Sequence, residues 1–187
     1  MADFFPLLTD RLCLRAFRAE DLSAFTRYRN RPEVARYQSW SSFTAEDARR
    51  FWQGQQDLAF NRDDSWFQIA LARREDDVLL GDLAVHFFDN GQQAELGFTL
   101  DSDHQQQGYA REALACVLDL LFIRLDKHRL SAIIDTRNEA ARKLLEKSGF
   151  RREAHYRENI HFKGSWSDEY GYALLQSEWR QARGRSG

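Results

Sequence analysis

Only two cysteines, Cys13 and Cys116, occur in 187 residues, and they stand far apart inside apolar runs. That excludes a disulfide framework and any Cys-x-x-Cys redox or zinc motif, and both residues are expected as buried thiols. Two prolines and ten glycines are too few for flexible linkers, collagen-like repeats or Pro-rich docking segments. No run of about 18 apolar residues occurs, and residues 1–6 carry no basic region ahead of their short apolar patch. Neither a membrane span nor a secretory leader is expected, and the expected setting is cytoplasmic. An excess of one charge is also lacking, since 27 Lys and Arg stand against 29 Asp and Glu. Without a positive field, nucleic acid is not an expected partner. The five histidines form no His-x-x-x-His pair, so no metal site is expected.

Aromatic side chains are abundant: fourteen Phe, six Tyr and five Trp, ample for one well-filled core. Residues 8–175 read as a single domain and 176–187 as a C-terminal tail, with Arg180 to Gly187 frayed.

Arg11 to Phe17 alternates as a first strand, with Leu12, Leu14 and Ala16 on one face. Glu20 to Asn30 turns helical, and Pro32 opens a short helix to about Tyr37. Thr44 and Asp47 form a capping box for a helix reaching about Asn61. Trp66 to Leu71, Val78 to Phe88 and Gln93 to Leu100 then form an antiparallel meander, turned at Arg73 to Asp77 and at Asp89-Asn90-Gly91. A polar loop from Asp101 leads into a helix carrying Ala113, Leu114, Val117, Leu118, Leu121 and Phe122. Leu130 to Thr136 is a strand and Asn138 to Ser148 a helix, closed by Gly149. Phe150 to Phe162 and Tyr170 to Leu175 are closing strands. The fold class is α/β, a mixed sheet flanked by helices with some parallel pairing.

The chemistry concentrates between Glu95 and Leu121. A loop feeding a helix start presents unpaired amides and the positive end of the helix dipole, which suits phosphate oxygens, and Gly108 permits close approach. No Gly-x-x-x-x-Gly-Lys-Ser/Thr and no Gly-x-Gly-x-x-Gly is present, which removes the best evidence for nucleoside triphosphate or dinucleotide binding. What remains is Gln105-x-x-Gly108-x-Ala110.

With Glu95-Leu-Gly-Phe on the strand before, Asn138 after the next strand and Leu144-Leu-Glu-Lys-Ser-Gly-Phe150 closing the next helix, this order resembles the GNAT superfamily of acyl-CoA-dependent N-acyltransferases. Leu12 to Phe17, Glu20-Asp21 and Trp166-Ser-Asp-Glu-Tyr-Gly-Tyr-Ala173 are similar to its RimJ/RimL-type branch of ribosomal-protein N-terminal acetyltransferases. The resemblance spans roughly Leu8 to Leu175. It implies a central parallel strand pair splayed into a V, acetyl-CoA as donor and a primary amine as acceptor, either a protein N-terminus or a small molecule. It places the cofactor pyrophosphate on the amides of Gln105, Gln106, Gln107, Gly108, Tyr109 and Ala110, the pantetheine arm along Phe98 and Leu100, and a further contact at Asn138. A monomer or homodimer is implied, with no nucleic-acid or membrane partner.

Attack on a thioester needs a deprotonated amine, and Glu95 is the expected base. Asp82 and His86 are weaker candidates. The resemblance frames an acceptor wall from Tyr28, Asn30, Tyr37, Trp40, His86 and Trp166, with Asp168 and Glu169 as residues that could steer a cation. Asn138 reads equally as a helix N-cap, Glu95 as a solvated strand carboxylate, and Tyr109 as packing over the loop. Two departures from the family pattern stand out: Ala141 occupies a position where relatives often carry Ser, and Leu145 one where many carry a Tyr that serves as general acid. These leave a catalytically weak acetyl-CoA-binding or interaction protein as the alternative to an enzyme working by direct attack in a ternary complex. A more distant alternative is a nucleic-acid module using the Arg180 to Arg185 charges.

Overall fold

The structure is a computed structural model and describes residues 4–184 other than Ser39. Its elements are β1 (Leu7–Leu8), β2 (Leu12–Arg15), α1 (Leu22–Arg29), α2 (Pro32–Ala35), α3 (Ala45–Gln56), β3 (Ser65–Arg73), β4 (Leu79–Phe88), β5 (Gln93–Leu100), α4 (Tyr109–Asp119), β6 (Arg129–Asp135), α5 (Glu139–Lys147), β7 (Arg151–Phe162), β8 (Ser165–Leu175) and α6 (Gln176–Gly184). All eight strands form one sheet in the order β1-β2-β3-β4-β5-β6-β8-β7. Every pairing is antiparallel except β5 with β6. The mixed sheet and its parallel pair are therefore as expected.

Local chemistry sets several boundaries. The Thr44 hydroxyl accepts from the Asp47 N–H while Asp47 accepts from the Thr44 N–H, so α3 starts with the expected reciprocal box. That helix stops at Gln56 instead of reaching Asn61, which sits in the left-handed region at φ 66°. Asn90 and Gly91 turn with positive φ as their residue types predict, and Gly149 does the same after α5 at φ 92°. After Asp119 the chain widens into a π-helical turn, with the Leu125 N–H bonded to the Leu120 carbonyl.

Two cores lie on opposite faces of the sheet. The larger packs α4, the π turn and α5 against Phe67, Ile69, Leu83, Val85, Leu96 and Leu130. The smaller joins Phe25 and Tyr28 of α1 and Ala48 of α3 to Ala70 of β3. Two readings are corrected. Residues 180–184 are not frayed but continue α6, because Trp179 is buried against Phe122 and anchors the helix; residues 185–187 lie outside the described residues. β8 begins at Ser165, five residues before Tyr170, where it pairs with the far end of β7. The last two strands are also exchanged in space, with β8 inserted between β6 and β7.

Gly81 allows β4 and β5 to approach closely beside a bulge at Leu71 and Ala72, and a Cβ there would lie 2.3 Å from the Thr99 carbonyl oxygen. Gly81→Ala must therefore push backbone away from backbone. It is expected to destabilise the fold by roughly 1–3 kcal/mol, read as a lower urea midpoint at unchanged slope.

Candidate active site

The parallel pair is short. β5 and β6 share only the register Gln93–Arg129, Ala94–Leu130 and Glu95–Ser131, after which β5 follows β4 to Leu100 and β6 follows β8 to Asp135. The sheet thus forks just past Glu95. Which backbone groups enter the fork follows from two hydrogen bonds. The Asp101 N–H bonds to the Leu80 carbonyl on the β4 side, whereas the Gln92 carbonyl accepts from His128 on the β6 side. Bonding direction alternates along a strand, so the even-numbered residues Leu96, Phe98 and Leu100 direct N–H and C=O into the opening. The Leu100 carbonyl is taken by the Gln105 side-chain amide at 3.0 Å.

The opening leads to the glutamine loop. Gln106 and Gly108 have φ 59° and 85°, and Gly108 caps α4. The first bond of that helix runs from the Glu112 N–H to the Gly108 carbonyl, which leaves the amides of Tyr109, Ala110 and Arg111 ahead of the intrahelical ladder. The helix's own first-turn carboxylate does not compete for them. Glu112 is held by Thr9 Oγ1 at 2.5 Å and by Arg11 Nε at 2.7 Å, and these contacts keep its pKa below the usual carboxylate range despite partial burial. Arg11 also donates to the Gln107 carbonyl at 2.9 Å and lies 4.4 Å above the Tyr109 ring. Tyr109 is buried beneath it, packing over the loop. Asn138 caps α5, its Oδ1 accepting from the Ala141 N–H at 3.1 Å; no hydrogen bond from its Nδ2 occurs among the described residues.

On the face opposite the larger core, Glu95 sits across from His86, and their neighbours Trp66, Gly97 and Ser131 share that face. His86 is stacked between Trp66 at 4.8 Å and Phe88 at 5.5 Å, forming an aromatic ledge beside the carboxylate. Glu95 is half-buried, and burial raises its pKa above the ordinary carboxylate value; Glu169 adds to the rise and His86 opposes it. Among the described residues no hydrogen bond reaches its carboxylate.

The expected acceptor wall is only partly assembled. Tyr28 has no exposure, and its hydroxyl donates to Asp82, so it supports the groove from behind instead of lining it. Asp82 itself is buried, bound also by Gln68 and 3.6 Å from Arg29, which removes it as a base candidate. Asn30 spends both ends of its amide on Thr26 and Phe43. Trp40 stacks on Arg29 at 4.1 Å and donates to its carbonyl. Tyr37, just past α2, donates to the Arg137 carbonyl, and the Lys163 ammonium donates to the Ala35 carbonyl, which ties the β7–β8 hairpin to the end of α2. Trp166 is 60% exposed and lies on the face of β8 opposite Ser167 and Glu169, away from Glu95. Asp168 points to that far face, bound by His155 and the Glu158 N–H. Sequence reasoning missed Trp66 and Ser131 as residues of the Glu95 face. The signal was present, since Trp66 occupies the polar phase of the β3 alternation. Ala141 and Leu145 are buried in the core and offer no proton. Among the described residues no three metal-binding side chains cluster, and no helix is long and apolar enough to cross a membrane.

Residues 11–151 match the acetyltransferase (GNAT) domain family. The chain is 30% identical over 173 residues to the uncharacterized N-acetyltransferase YnaD of Bacillus subtilis (strain 168), covering 92% of this chain and 98% of that one. Its fold superposes on a GNAT-family acetyltransferase from Bacillus anthracis with a TM-score of 0.83 at 26% identity, covering 91% and 98% of the two chains. It also superposes on the Vibrio cholerae spermidine N-acetyltransferase solved in complex with CoA and spermine, with a TM-score of 0.79, 21% identity and coverage of 92% and 99%.

Proposed function

The chain belongs to the GNAT family of acetyltransferases, and on that premise we propose that it carries an acetyl group from acetyl-CoA to a primary amine by direct attack, with Glu95 as the base. The observation that carries this reading is the fork. One strand edge, Leu96 to Leu100, leads from a half-buried carboxylate to a loop of free helix amides.

Acetyl-CoA fits the residues present. The amides around Gly108 to Ala110 suit its pyrophosphate. The backbone groups of Phe98 and the Leu100 N–H suit the amide-bearing arm, with the Leu100 carbonyl already bound by Gln105, and the uncommitted Nδ2 of Asn138 adds a donor at the far side. When bound, acetyl-CoA supplies the acyl group and a thiolate leaving group of pKa about 8.5, which departs with little protonation. That accommodates the absence of an acid at Ala141 and Leu145. Glu95 accepts the ammonium proton, directly or through one water, and its raised pKa brings it nearer the working pH. The acceptor is a protein N-terminus, as the RimJ/RimL-like motifs imply, or a small amine of the kind named for the Vibrio cholerae neighbour. The Trp66–His86–Phe88 ledge and the Glu169 carboxylate favour an acceptor that arrives as a cation.

The test is thiol release from acetyl-CoA across N-terminal peptides, polyamines, amino acids and aminoglycosides, beside calorimetric binding of acetyl-CoA. Turnover with at least one amine class is expected. Tight acetyl-CoA binding without turnover on any of them favours a binding protein instead.

A further inference from the structure

Arg31, in the turn between α1 and α2, gathers three consecutive residues at the end of β5. Its Nε lies 2.9 Å from Asp101 Oδ1, its Nη1 donates to Ser102 Oγ at 3.0 Å and Asp103 Oδ1 at 2.9 Å, and its Nη2 donates to Asp103 Oδ2. Asp101 is fully buried; among the described residues its other oxygen accepts no hydrogen bond, and Arg27 lies 3.5 Å from it. The glutamine loop is pinned back onto the same stretch, Gln107 donating to the Asp103 carbonyl and Gln105 to the Leu100 carbonyl. The residues just before Arg31 hold the acceptor side: Tyr28 binds Asp82, Arg29 carries Trp40, and Asn30 ties down Phe43.

We propose that Arg31 is the positioning residue that sets the glutamine loop and couples it to the α1–α2 turn, so that donor seated on the loop orders the acceptor side. A rigid guanidinium fork makes these four contacts from three separate nitrogens in fixed directions, whereas a lysine ammonium has three donors on one freely rotating nitrogen. Coupling of this kind is reciprocal, so acceptor occupancy tightens donor binding by the same factor. The inference rests on the proposed use of the loop by acetyl-CoA.

Arg31→Ala strands the buried Asp101 carboxylate and risks unfolding, so the informative variants are Asp103→Asn and Arg31→Lys. Hydrogen exchange on the full chain, with and without acetyl-CoA, reads the coupling without knowledge of the acceptor. In the unaltered protein acetyl-CoA is expected to slow exchange in residues 102–110 and also in 28–38. In both variants the effect on 102–110 persists, whereas that on 28–38 falls about tenfold, within the usual range of site-to-site coupling. KM for acetyl-CoA rises by a similar factor, with kcat changed less than about twofold. Equal protection of 28–38 in all three proteins overturns the coupling while leaving the acetyl-CoA reading intact. Absence of any acetyl-CoA binding to the unaltered protein overturns that reading first, and this one with it.

Discussion

Gly108→Val is expected to weaken acetyl-CoA binding about 100-fold while the protein stays folded. The residue has φ 85°, a region that costs a side-chain-bearing residue about 1–2 kcal/mol and a β-branched one more. A Cβ would also meet the Arg11 guanidinium at 3.3 Å. The loop is exposed, so the chain can relieve the strain locally by turning the peptide, which redirects the amides at the head of α4. Each hydrogen bond to a charged group is worth about 1.5–3 kcal/mol, so misaiming one or two accounts for a loss of about two decades at roughly 1.4 kcal/mol each. Gly108→Ala should lie between, about tenfold. Calorimetric titration with acetyl-CoA checks the ranking, with far-ultraviolet circular dichroism to show that the fold survives. Wild-type affinity in the valine variant would place the pyrophosphate elsewhere.

Glu95→Gln is expected to lower kcat by about 100- to 1,000-fold near neutrality, the contribution usual for a positioned base. The pH dependence carries more information than the size. A carboxylate with a raised pKa loses its proton later, so the acid limb of the wild-type profile lies above the ordinary glutamate value. The glutamine variant lacks that limb and depends on free amine, so its deficit shrinks as pH rises toward the acceptor pKa of about 8 to 10. A constant ratio across pH removes Glu95 as the base. Stability should move the other way. Because burial disfavours the charged form in the fold, folding stability falls as pH rises from the ordinary value through the raised one. The neutral amide removes that penalty, and a higher thermal midpoint at pH 7 than at the acid end, relative to wild type, is the expected sign.

How far the sequence carried these conclusions depends on the range of the forces involved. Elements set by neighbours in the chain were legible: the Thr44–Asp47 box, the Asn138 cap, the Asn90-Gly91 turn and the boundaries of β5 all follow from local hydrogen bonding and period. The position of Gly108 ahead of α4 was legible for the same reason. Burial of Tyr28 was not, since it follows from α1 docking on Asp82, 54 residues away. Trp166 was misplaced because the face a strand residue takes depends on strand register, and β8 inserts between β6 and β7, out of chain order. Arg31 carried no motif. Its role emerges only where the α1–α2 turn meets the end of β5, 70 residues downstream.

The three-pair seam between β5 and β6 has a mechanical consequence. The sheet behaves as two plates welded along one short edge, a three-stranded meander with its two-stranded N-terminal ribbon on one side and a three-stranded unit on the other. A ligand arm lying in the gap would act as a ninth strand, supplying the hydrogen bonds that the two plates withhold from each other. The donor is then part of the scaffold during each turnover, and resistance to heat and proteolysis tracks the ratio of donor concentration to its dissociation constant.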